Sequence, residues 1–82
     1  MTRQDLIDQG NEDVVVFENP DFDGCIIGLS TDNRAVYSLA KMVLWYYERN
    51  NCDAEGALEF IEYNTLRSLP YIQNGPIVLN DL

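Results

Sequence analysis

The chain of 82 residues sets fourteen carboxylates against five basic side chains, contains no histidine and carries a formal net charge of -9. A surface this negative repels nucleic acid and anionic lipid, and is drawn instead to a positively charged protein groove. At 46% hydrophobic residues the chain is too apolar for a disordered acidic tail, and its length suits one domain, residues 1–82, with one modest core.

The longest apolar run, Met42 to Tyr47, falls far short of the roughly 20 residues that span a bilayer. The start, Met1-Thr2-Arg3-Gln4-Asp5, lacks the basic stretch and apolar segment of a secretory signal, which gives the expectation of a cytoplasmic protein. Cys25 and Cys52 are then expected as free thiols. With no histidine and two distant thiols, zinc would need an unusual carboxylate-heavy ligand set.

Thr2 is placed to cap a short helix running to about Gln9, stopped by Gly10. Asp13-Val14-Val15-Val16-Phe17-Glu18 is a β-branched and aromatic run that predicts a first strand. The turn formers of Asn19 to Gly24 and the strand character of Cys25 to Leu29 complete a β-hairpin, and Thr31 to Arg34 turns into a third strand, Ala35 to Tyr37. Ser38 caps a helix through Asn50, and Asp53 caps another that Pro70 ends at about Leu69. So short a link predicts an antiparallel helical hairpin. Ile77-Val78-Leu79 follows a Gln73-Asn74-Gly75-Pro76 turn as a last strand that can join the meander. The expected architecture is α+β: a short N-terminal helix, a three-stranded antiparallel meander, a helical hairpin on one sheet face and a short C-terminal strand.

Asn19-Pro20-Asp21-Phe22-Asp23-Gly24 matches the first half of a calcium-loop pattern, with oxygen ligands at 1, 3 and 5 and glycine at 6. Position 12 is Ser30 instead of a bidentate glutamate, and Cys25 to Leu29 reads as a strand, so an acidic hairpin tip is the better reading. Carboxylate pairs abound in any acidic chain, yet no nucleophile with an adjacent base and no phosphate-cradling glycine loop accompanies them. No cofactor, metal site or catalytic residue is expected, and the chain reads as a binding protein.

Its carboxylates fall into two zones. Glu18, Asp21, Asp23 and Asp32 crowd the turns of the first half, while Glu55, Glu59 and Glu62, at i, i+4 and i+7, share one helical face over about 10 Å. Solvated acids of this kind also serve plain solubility. On the Ser38 to Asn50 helix, Leu39, Ala40, Val43, Tyr46 and Tyr47 form the core stripe. Trp45 falls nearly opposite Val43 with Leu44 at its flank, which makes it either a partner anchor or a group that the first short helix or the C-terminal tail covers.

The strings Val16 to Gly24, Gly28 to Tyr37 and Tyr63 to Tyr71 resemble a group of small acidic proteins of unknown function from bacterial genomes and their phages. The resemblance covers most of residues 13 to 79 and implies a bacterial cytoplasm carrying mobile elements, with no activity attached. These proteins have more acidic residues around positions 38 to 44, where this chain has Ser38-Leu39-Ala40 and Leu44, so the surface of that helix differs here. Small acidic phage-linked proteins include anti-CRISPR inhibitors that occupy a nuclease's basic groove, an analogy of size and charge. The leading expectation is a non-enzymatic inhibitor of this type, a nucleic-acid mimic bound to a basic protein such as a host nucleic-acid enzyme. Its candidate partner-binding residues are Glu18, Asp21, Asp23, Asp32, Trp45, Glu55, Glu59 and Glu62. The alternative is an adaptor or self-associating module, monomer or homodimer, using Leu44 and Trp45.

Overall fold

Local capping chemistry sets both ends of the first helix. In the computed structural model, which describes Met1–Leu82, helix α1 spans Arg3–Asp8. The Thr2 hydroxyl accepts from the Asp5 amide and the Asp5 carboxylate accepts from the Thr2 amide, closing a capping box. Gly10 adopts a φ of 83°, which lets its amide and that of Asn11 turn back onto the Ile7 and Leu6 carbonyls at 3.0 and 2.8 Å. Leu6 alone anchors this helix in the core.

Strands β1 (Ile26–Leu29) and β2 (Ala35–Ser38) pair antiparallel, and β3 (Ile77–Leu79) lies parallel to β2 on its other side. The sheet, ordered β1-β2-β3, is therefore mixed, where the sequence predicts an antiparallel meander. Two tethers hold the C-terminal segment beside β2. Arg34 Nε donates to the Gly75 carbonyl at 2.8 Å, and the Asp81 carboxylate accepts from the Ser38 hydroxyl and the Ala40 amide.

The predicted first strand is absent. Within Asp13–Glu18 only two amides find protein partners: Val14 donates to the Asn11 carbonyl, and Phe17 donates to the Tyr37 hydroxyl at 3.1 Å. Tyr37 is a fully buried residue of β2 that faces the core, so Phe17 lies over the inner face of the sheet and not along the edge of β1. Burying two aromatic rings decides the path. Phe17 packs 4.6 Å from Tyr37 and 6.1 Å from Phe22, and Phe22 is wholly buried although its φ of 45° is unusual for a bulky residue. Full burial of a Phe side chain stabilises by about 1.5–3 kcal/mol.

Ser38 ends β2 and caps α2 (Leu39–Arg49), accepting from the Lys41 amide. Leu39, Met42 and Val43 are buried, while Ala40, Tyr46 and Tyr47 are half-buried. Spacing at i, i+3, i+4 and i+7 thus gives Met42 the place that the sequence reading assigned to Ala40. Asp53 caps α3 (Ala54–Phe60) through the Gly56 amide, and the hairpin closes where the Tyr46 and Phe60 rings stack at 4.3 Å. From Ile61–Thr65 the helix widens into a π turn, then tightens into a 3-10 turn over Leu66–Tyr71. It therefore runs past the predicted end at Leu69. Pro70 sits inside this last stretch, where it has no amide to return to the Arg67 carbonyl and the turn forgoes that bond. The core joins Ile26, Ala35 and Tyr37 of the sheet to Met42, Val43, Ala57 and Ile61 of the hairpin. No helix is long and apolar enough to cross a membrane.

Candidate protein-binding face

Aspartates and glutamates divide the negative charge between two jobs. Every aspartate except Asp13 accepts a hydrogen bond that shapes the fold. Asp5, Asp53 and Asp81 take amides at helix N-termini, Asp8 takes the Gln4 side chain, and Asp32 takes the Ser30 hydroxyl. Asp21 accepts from the Asp23 amide, and Asp23 accepts from the Arg3 amide at 2.7 Å. A short carboxylate reaches nearby backbone that a longer one overshoots. No carboxylate of Glu12, Glu18, Glu48, Glu55, Glu59 or Glu62 accepts a hydrogen bond or joins an ion pair, and the chain's one ion pair is Arg34 with Asp32 at 3.9 Å.

The hydrogen bonds also set the acidity of three aspartates. The Ser38 hydroxyl and Ala40 amide hold Asp81 below its ordinary value, the Thr2 amide does so for Asp5, and the Ser30 hydroxyl for Asp32. Burial pushes the Cys25 thiol up to about 11 and the Tyr37 hydroxyl up to about 12.

The first acidic zone does not converge. Asp21 and Asp23 precede β1 and Asp32 follows it, so they stand at opposite ends of a strand about 13 Å long. Glu18 lies on a different groove, of about 370 Å³, which faces Asn64, Thr65 and Ser68 of the helix. Asp21 accepts from the nearby Asp23 amide and Asp23 from the amide of Arg3 on α1, and with no strand before it this turn is not the hairpin tip that the sequence predicts.

The second zone is real but differently composed. Ala57, Ile61 and Thr65 are all buried, a spacing of four, whereas an unbroken α-helix would rotate such a stripe by about 40° at each step. The wider π turn takes up that rotation and keeps the three on the core. Two residues out of phase with the buried positions, Glu55, Glu59, Tyr63 and Arg67 are all exposed and form the opposite stripe, while Tyr71, also exposed, lies beyond it because the 3-10 turn advances about 120° per residue. Tyr63 is 70% and Tyr71 88% exposed, and the Arg67 guanidinium sits 5.3 Å from the Tyr63 ring centre, as neighbours on one face do. Glu62 is exposed beside this stripe, and Tyr63 takes the third place that the regular-helix projection gave it. Tyr63 and Arg67 were not legible in the sequence, where their only signal was the fourfold spacing that a π turn makes meaningful.

Trp45 is half-buried. The Phe22 ring packs against it at 5.0 Å and the Arg49 guanidinium covers it at 4.2 Å, so the loop before β1, not the first helix or the tail, supplies the cover. Leu44 beside it is 45% exposed. The face around Trp45 is the one place where two cations gather, with Lys41 and Arg49 bordering a groove of about 320 Å³.

Comparison with protein-family models, with curated proteins and with solved structures gives no match.

Proposed function

We propose that this chain is a non-enzymatic, acidic protein-binding inhibitor. It sets the Glu55, Glu59, Tyr63 and Arg67 stripe, flanked by Glu62 and with exposed Tyr71 beyond its end, against the basic groove of another protein. The observation that carries this reading is the joint exposure, on one helix face, of glutamates whose carboxylates make no hydrogen bond or ion pair and of the large Tyr63 ring beside Arg67. Free carboxylates steer encounter with a cationic groove, while tyrosine and arginine supply the buried contacts that hold it. The partner class is a nucleic-acid enzyme of a bacterial host, whose phosphate path the carboxylates occupy in the manner of phage-encoded nucleic-acid mimics such as anti-CRISPR proteins. The compartment under this reading is the bacterial cytoplasm. An adaptor role through Leu44 and Trp45 has less support, because Phe22 and Arg49 already cover much of the indole.

The experiment pairs the purified chain with bacterial nucleases, RNA-guided ones included, and measures displacement of their nucleic acid at low and high salt. Glu55→Lys with Glu59→Lys is expected to weaken displacement at least about tenfold and to reduce its salt dependence, with little change in Tm. Tyr63→Ala is expected to weaken binding without altering the salt response. Displacement insensitive to salt and to both changes would sink the proposal.

A further inference from the structure

The strongest strand signal in the sequence is the one the sheet leaves unused. We infer that Val15–Glu18 is a docking strand, which receives an extended basic peptide segment of another protein through main-chain pairing. No turn, helix or strand pairing interrupts Val15–Glu18. Its valine and phenylalanine side chains favour a pleated ladder. No ladder forms within the chain. The amides of Val15, Val16 and Glu18 and the carbonyls from Val14 to Phe17 have no protein partner.

Successive amides of an extended run point to opposite sides. Phe17 spends its amide inward on the Tyr37 hydroxyl, which leaves Val16 and Glu18 with amides on the opposite edge. Val14, Val16 and Phe17 pack against the core and fix the segment in place, so the edge is held ready before a partner arrives. An open, pre-formed edge of this kind is the template for strand addition. The groove of about 370 Å³ along the segment has room for the incoming side chains between Val15 and the Asn64, Thr65 and Ser68 wall. Charge selects the occupant. Exposed Glu18 at the end of the run and exposed Asp13 in the turn just before it have no partner, and they favour lysine or arginine flanking the incoming strand. The inference goes beyond the proposed function, since it holds whether or not the partner is a nucleic-acid enzyme.

The test uses the whole chain and a short synthetic peptide alternating lysine with valine, followed by amide hydrogen exchange. Binding is expected to slow exchange at Val16 and Glu18, and Glu18→Lys is expected to weaken it. N-methylating alternate peptide residues keeps the charge but removes donors, and is expected to weaken binding at least about tenfold. Equal binding of both peptides, no binding, or protection confined to Glu55–Tyr71 would overturn the inference. So would a chain that sediments as a dimer with Val16 and Glu18 already protected, since the occupant would then be a second copy. Charge reversal at Glu55 and Glu59, which tests the helix stripe, is expected to leave protection at Val16 and Glu18 unchanged.

Discussion

Replacing Tyr37 with Phe removes one oxygen and keeps the ring. The hydroxyl accepts the Phe17 amide at 3.1 Å in a region where Tyr37 is wholly buried and Phe17 nearly so, at 8%. Without the oxygen that amide is left unpaired among apolar groups, at a cost of about 1–3 kcal/mol. The ring contacts with Phe17 at 4.6 Å stay, so no cavity adds to the loss. For a domain of this size the expected fall in Tm is roughly 5–20 °C by calorimetry or circular dichroism. Amide exchange should quicken at Phe17 before it does in β2. High pH gives an independent check. Burial raises the Tyr37 hydroxyl from its ordinary 10 to about 12, so the folded state keeps a proton that the unfolded state releases. The stability is complete below pH 10 and is lost as pH rises towards about 12, so the gap between wild type and Tyr37→Phe should close over that window. A Tm within about 2 °C of wild type at neutral pH would refute the claim that this bond holds the Val14–Phe17 path.

Two further outcomes follow from titratable groups away from the binding face. Asp81 lies below its ordinary 3.8 because the Ser38 hydroxyl and Ala40 amide donate to it, so its contribution is present above 3.8 and is lost as pH falls through the lower folded value. Asp81→Asn should therefore be less stable than wild type at pH 7, and acid titration of Tm should show the two converging below pH 3.8. Convergence at neutral pH instead would remove Asp81 from its place at the start of α2. Cys25 is 2% exposed with its thiol pushed up to about 11, whereas Cys52 is half-buried. A thiol reagent at pH 8 should modify Cys52 at once and Cys25 only on unfolding, and equal rates would contradict the burial of Cys25.

Residues that settle their own backbone were legible from the sequence. Thr2, Ser38 and Asp53 cap helices with side chains that reach only their own first turn, and Gly10 supplies a positive φ that few other residues tolerate. The hairpin of α2 and α3 followed from the same local logic, as did the α+β class. Glu55 and Glu59 were legible as an exposed pair, because four residues bring neighbours onto one face of any helix near the α geometry. The third member was not. Whether Glu62 or Tyr63 continues the stripe depends on a π turn, which forms where Ala57, Ile61 and Thr65 must all meet the core.

By itself the sequence determined the sign and size of the charge, the capped helices, the β1–β2 pair and the strand potential of Val14 to Phe17. Tertiary structure alone decided how those potentials were used. It gave the second edge of β2 to the tail through Arg34 and Asp81, and drew Phe17 and Phe22 into the core at the expense of a ladder. It also committed nearly all the aspartates to the fold while leaving the glutamates free. The reason is one of range: caps and turns are fixed by contacts within a few residues, whereas edge pairing, aromatic burial and the division of charge depend on groups brought together from distant parts of the chain.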